Sequence, residues 1–168
     1  SDDKGYITFG SFNNYAKLTD AMLQLWAQIL ARLPTARLML KIKGIDRPVF
    51  STETAARLQR LGLPVPRVIL EPWRDSPFSL YNEVDIALDP FPYNGTTTSM
   101  DTLWMGVPYI TLAGDACVSR MGVTILTNAG LPGLIAKTPE EYVALAIQMA
   151  SDPGRLRDNL RHRVAGSP

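Results

Sequence analysis

Two hydrophobic periods alternate along this chain. Residues 6–12, 37–43, 67–70, 84–88, 107–112 and 134–136 are short apolar runs bounded by glycine, proline or polar clusters, and they read as strands. Between them the apolar spacing becomes helical. Met22, Leu25, Trp26, Ile29, Leu30 and Leu33 mark a helix over 19–33 that Pro34 stops. Further helices are predicted over about 50–61, closed by Gly62, and over 97–105, 118–128, 139–150 and 153–163. Strands alternating with helices at this spacing predict βαβ units, a mostly parallel sheet and helices on both faces. The expected fold class is therefore α/β, a doubly wound, Rossmann-like single domain over residues 1–168. In such sheets a ligand sits beyond the carboxyl ends of the strands, where the strand order reverses. The loops after the first and fourth strands, 13–17 and 93–98, are the ones expected to meet there.

Composition narrows the chemistry. At 168 residues there is length for one full core, and 46% hydrophobic with 20% charged residues is ordinary for a globular protein. A net charge of +1 without charge runs gives no basic face for nucleic acid. Cys117 is the only cysteine and His162 the only histidine, so neither an internal disulfide nor a histidine-rich metal site can form. The lone cysteine suits a reducing, cytoplasmic setting, and Cys117 reads as a small buried filler. No apolar run approaches the ~20 residues of a membrane span, so no membrane partner is expected. The ends, Ser-Asp-Asp-Lys and Ala-Gly-Ser-Pro, read as those of a piece of a longer chain.

The most informative stretch follows the fourth strand, from Asp89 to Pro108. Asn94-Gly95 supplies a turn, and Thr96, Thr97 and Thr98 open the next helix. Backbone N–H groups and hydroxyls at a helix N-terminus bind anions, and Asp101, roughly one turn deeper, could accept bonds from sugar hydroxyls. Thr-x-x-Asp is also a capping pattern, with Asp in place of Glu. Three successive hydroxyls exceed what one cap needs, which favours a ligand. Lys17 is either a solvated surface lysine or a cation that neutralises a diphosphate leaving group. Asn13 and Asn14 either make turns or present an amide to a substrate. Trp73 and Arg74, after the third strand, either pack across a loop or hold a base and ribose. Arg120 faces a phosphate or makes a salt bridge. Asp85 and Asp89 flank the fourth strand, but no metal site is assigned to them. Trp26 and Trp104 read as core. Neither a G-x-G-x-x-G after the first strand nor a P-loop is present, which counts against a dinucleotide dehydrogenase or a P-loop enzyme.

Four motifs, taken in order, resemble one family: Phe9 to Thr19, Leu80 to Asp89, Tyr93 to Asp101 and Leu103 to Pro108. The chain resembles the C-terminal half of the catalytic region of the O-linked N-acetylglucosamine transferases, particularly bacterial members in which tetratricopeptide repeats precede that region. The resemblance implies one lobe of a two-lobed GT-B glycosyltransferase, binding a UDP-sugar, usually UDP-N-acetylglucosamine. It implies inverting, metal-independent transfer to serine or threonine hydroxyls of a protein acceptor, with no cofactor beyond the donor. By position, Lys17 matches the lysine on the diphosphate, Thr96–Thr98 the phosphate loop, Asp101 the ribose carboxylate and Asn14 an amide near the donor. Pro72 to Arg74 fall where uracil and ribose are held. The chain departs from many bacterial members at Pro77-Phe78-Ser79 and at Cys117, where those carry histidines. The N-terminal lobe and the repeats would lie outside this chain, and the isolated lobe is expected to be inactive. Two other classes are open: a non-catalytic binding or scaffolding module with a decayed donor site, and a nucleotide-sugar epimerase of similar architecture.

Overall fold

The computed structural model describes residues 4–74 and 78–152, together with Gly154 and Leu160. Six strands form one parallel sheet: β1 (Thr8–Ser11), β2 (Arg37–Ile42), β3 (Val68–Pro72), β4 (Ile86–Leu88), β5 (Tyr109–Leu112) and β6 (Ile135–Ala136), in the order β3-β2-β1-β4-β5-β6. This is the doubly wound α/β arrangement, with the reversal of strand order between β1 and β4. The helices are α1 (Asp20–Arg32), α2 (Pro48–Arg60), α3 (Thr97–Trp104), α4 (Met121–Asn128) and α5 (Pro139–Ala150). The helix expected over 153–163 lies almost wholly outside the described residues.

Strand alternation sorts the side chains between two cores. Leu38, Leu40 and Ile42 of β2, Ile86 and Leu88 of β4, and Ile110 and Leu112 of β5 pack beneath α1, α2 and α5. Met39, Ala87 and Tyr109 face the other way, toward Leu103 of α3 and Leu126 of α4. On that second face the carboxyl ends of the strands turn polar: Lys41, Asp89 and Thr111 are all buried there. Gly10 on β1 lets β4 approach, since a Cβ at that position would meet Val84 Cγ2 at 2.6 Å. No helix among the described residues is long and apolar enough to cross a membrane.

Two expectations are corrected. Trp104 is not core: it is 74% exposed. The short helix α3 buries Ser99 and Thr102, and Trp104 falls on the opposite side of the same helix. Cys117 is exposed rather than buried. It opens a 3-10 turn, Cys117–Ser119, in which Ser119 takes the inward position, and the helix expected from 118 therefore begins at Met121. Between β3 and β4 the described residues of the crossover carry no α-helix, only a 3-10 segment over Phe78–Glu83.

One buried chain of hydrogen bonds ties two helices, α1 and α5, to the end of β4. Trp26 Nε1 donates to the Tyr142 hydroxyl at 3.2 Å, which donates to the Asp89 carbonyl at 3.1 Å. Tyr142→Phe removes the hydroxyl and strands a buried indole N–H and a carbonyl. It should lower the unfolding free energy by about 1–3 kcal/mol, read as a drop in urea midpoint at constant m-value.

Candidate functional site

The loop after β1 folds into a 3-10 turn, Tyr15–Lys17, capped by Asn14, whose Oδ1 accepts the Ala16 N–H at 3.0 Å. The turn aims Lys17 across the switch point: its Nζ donates to the Asn94 carbonyl at 3.1 Å and lies 4.6 Å from the Tyr93 ring centroid. Thr19, the N-cap of α1, donates to the Phe91 carbonyl at 3.2 Å. The two loops expected to meet are thus tied to each other.

The loop after β4 is held from below. The Asp89 carboxylate accepts the Gly95 N–H at 2.7 Å on Oδ1 and the Thr111 hydroxyl at 2.7 Å on Oδ2. Asn94, 1% exposed, donates through Nδ2 to the Pro90 carbonyl, accepts the Gly122 N–H on Oδ1, and gives its own N–H to the Val118 carbonyl. Gly95 is required by space and not by φ, because a Cβ there would meet Asn13 Oδ1 at 2.7 Å and Asp89 Oδ1 at 3.1 Å.

This scaffold leaves α3 with an open N-terminus. Thr96 stands at the N-cap without a side-chain cap bond, so the capping reading of the threonines does not hold. Thr98 and Asp101 both lie inside the helix. The Thr97, Thr98 and Ser99 N–H groups find no acceptor among the described residues; the first helical N–H to be bonded is that of Met100, to the Thr96 carbonyl. Three N–H groups at the positive end of a helix dipole attract an anion.

Lys17, Thr97, Thr98 and Asp101 line a single cleft of about 820 Å³, joined by Asn14 and Trp73. Thr96 and Arg74 do not line it: Thr96 is exposed outside the cleft, and Arg74 pairs with Glu71 at 2.7 Å. Pro77 lies outside the described residues. Arg120 makes no phosphate-facing contact and instead donates to the Gly114 carbonyl at 3.2 Å. Asp85 accepts the Thr8 N–H at 2.9 Å at the opposite end of the strand from Asp89, so the two carboxylates do not converge. Sequence reasoning missed Lys41, which also lines the cleft, and the structural roles of Asn94 and Asp89. The available signal for Lys41 was a lysine inside an otherwise apolar strand.

A model of glycosyl transferase family 41 matches residues 2–167. The chain belongs to that family. It is 44% identical to the Arabidopsis thaliana protein named "Probable UDP-N-acetylglucosamine--peptide N-acetylglucosaminyltransferase SPINDLY", over 98% of this chain and 19% of that protein. It is 31% identical to the Caenorhabditis elegans UDP-N-acetylglucosamine–peptide N-acetylglucosaminyltransferase, over 94% of this chain and 14% of that protein. A mutant Thermobaculum terrenum O-GlcNAc transferase superposes with a TM-score of 0.91 at 38% identity, covering 98% of this chain and 33% of that one. The chain therefore spans only 14% to 33% of the length of these relatives. A cyanobacterial structure, Anabaena Alr3699/HepE in complex with UDP and glucose, shares the fold at 15% identity and a TM-score of 0.66.

In this family 41 chain the anchor of the loop after β4 is itself electrostatically poised. Burial pushes the Asp89 carboxyl up from 3.8 to about 7. Bonds from Gly95, Thr111 and Ser99 and the charge of Lys17 offset only part of that cost. The folded state therefore holds a proton that the unfolded chain releases near its ordinary carboxylate pKa. This group's contribution to stability is fully present below about pH 4 and is lost as pH rises through about 7. Asp89→Asn keeps an acceptor for Gly95 but cannot titrate. It should flatten the fall in melting temperature that the parent shows between about pH 5 and 7.5; identical slopes in parent and variant would exclude this assignment.

Proposed function

We propose that this chain is the donor-binding lobe of a protein glycosyltransferase, with UDP-N-acetylglucosamine as the nucleotide sugar. The observation that carries the reading is the convergence of Lys17, the open N-terminus of α3 and Asp101 on one cleft. A diphosphate placed against the Thr97 and Thr98 N–H groups lies within reach of the Lys17 ammonium. The Asp101 side chain, deeper along α3, makes no hydrogen bond to a described residue, and both carboxylate oxygens are available for ribose hydroxyls; its backbone carbonyl accepts the Met105 N–H. The UDP-N-acetylglucosamine-directed names of the Arabidopsis and nematode relatives support the choice of donor.

The chemistry follows from where charge develops. As the glycosidic bond to the β-phosphate breaks, negative charge grows on the leaving diphosphate. Lys17 and the helix dipole stabilise it more strongly than they stabilise the ground state. They supply the positive charge locally, and the proposed transfer uses no metal. An acceptor serine or threonine hydroxyl attacks the anomeric carbon from the side opposite the diphosphate, which inverts its configuration. The proposed second lobe and preceding repeats would lie outside this chain, which spans 19% of the Arabidopsis relative and 33% of the Thermobaculum one. The single, unpaired cysteine fits a cytoplasmic protein.

Calorimetric titration tests the reading. UDP and UDP-N-acetylglucosamine should bind saturably, and Lys17→Ala and Asp101→Ala should each weaken UDP by about tenfold to a hundredfold, the worth of a hydrogen bond to a charged group. Unchanged affinity in both folded variants would overturn the cradle. Tighter binding of GDP would overturn the uridine assignment alone, and silence with every nucleotide at millimolar concentration would leave a non-catalytic module.

A further inference from the structure

Lys41 is the one buried cation of the described sheet, and the proposed cradle does not use it. It occupies the fifth position of β2, on the face that Met39 shares, and is 6% exposed. The ladder places Glu71 of β3 directly in register with it, the natural partner for an ion pair. Glu71 is bonded instead to Arg74 at 2.7 Å. Among the described residues Lys41 has no hydrogen-bond acceptor. Its ammonium rests 4.4 Å from the Trp73 ring centroid and 5.7 Å from that of Phe12, inside the wall of the cleft. Desolvation pushes its pKa down, and the facing carboxylate of Asp101 pulls it back up. A buried ammonium held only by aromatic faces and a carboxylate across a cleft is a donor awaiting an acceptor.

The cleft supplies the order of the ligand's parts. The diphosphate end lies at Lys17, after β1, and at the start of α3, after β4; the strand order β3-β2-β1-β4 puts Lys41 of β2 and Trp73, after β3, on the far side of β1 from α3, and the Asp101 carboxylate faces Lys41. A nucleoside diphosphate laid along that line brings its base to Lys41. Trp73 is 56% exposed, so ring surface not covered by the lysine is available for stacking. An ammonium has three donors and no acceptor. It therefore donates to a carbonyl oxygen at the base edge and leaves an exocyclic amine unpaired.

We infer that Lys41 is a specificity-determining residue that reads the carbonyl edge of the donor's base, favouring keto bases (uracil, guanine) over their amino counterparts (cytosine, adenine). This rests on the diphosphate cradle proposed above but not on which keto base fills it.

The test uses size-matched pairs, UDP against CDP and GDP against ADP, with inorganic pyrophosphate as the probe of the cradle. The parent should favour the keto member of at least one pair by about tenfold or more, the cost of leaving a charged donor unpaired. Lys41→Met should bring that ratio to within about threefold while leaving pyrophosphate affinity unchanged. Lys41→Gln, whose amide can also accept from an amine, should do the same and improves the readout if the methionine variant folds poorly. Ratios retained in the folded variants would overturn the inference. Loss of pyrophosphate binding in parallel with UDP would also overturn it, by making Lys41 a phosphate ligand. Failure of the parent to bind any of the five probes would instead overturn the cradle itself.

Discussion

A buried carboxylate, Asp89, receives the Gly95 N–H at the point where β4 gives way to the proposed phosphate loop, and the position of that loop depends on this bond. The same side chain accepts the Thr111 hydroxyl of β5, and its main-chain carbonyl accepts Tyr142 of α5, which in turn accepts from Trp26 of α1. One residue thus joins two strands, two helices on the lower face and the turn that launches α3. A hydrogen bond to a charged group in such a setting contributes about 1.5–3 kcal/mol, yet the desolvation cost is large enough to hold the carboxyl near pH 7. Protonated or ionised, Asp89 keeps an acceptor oxygen for the Gly95 N–H. The geometry of the turn therefore survives a titration that moves its energy.

Much of this was legible from hydrophobic periodicity. Alternating strand and helix patterns predicted a parallel sheet, and the rule that ligands gather where strand order reverses singled out the two loops now seen tied together through Lys17 and Asn94. The misreadings came where periodicity carries no information about a third element. Trp104 sits on an apolar-looking helix face, but α3 is only two turns long and its burial is decided by Ser99 and Thr102, small residues against the sheet. Cys117 was judged by residue type, whereas its neighbour Ser119 took the inward position of the turn. Asn94 looked like a turn former. Its role as a three-way tie depends on Pro90, Val118 and Gly122, and no local pattern reports that. Lys41 did carry a signal, a charge within a run buried on both faces, but its meaning needed the register with Glu71 and the ring of Trp73.

In the proposed cradle Lys17 divides its donors between structure and chemistry. One bond goes to the Asn94 carbonyl, which holds the ammonium over the loop at the cost of one of its three protons. The remaining two are available to phosphate oxygens, where charge-assisted bonds are roughly twice as strong as neutral ones. The ammonium is thus oriented before a ligand arrives, and less reorganisation is required as charge builds on a departing diphosphate. With an overall charge of only +1, this chain has no broad field to steer an anion; attraction must come from a few aimed groups.

The unsatisfied start of α3 shows why those groups are left exposed to the cleft. A threonine at the N-cap ordinarily closes a helix with its own hydroxyl, a bond worth about 1 kcal/mol, and Thr96 does not make it. A closed cap would consume one of the N–H groups that an anion needs. The helix instead draws its placement from outside itself, through Gly95 on Asp89 and the buried Asn94 amide. Local propensity is overridden where the proposed ligand would bind, and the compensation sits in the core directly beneath. The same logic governs Lys41, an ammonium kept in an aromatic wall that an apolar residue would fill at less cost. Both violations open onto one cleft and offer donors only, which is the complement of a ligand rich in phosphate and carbonyl oxygens.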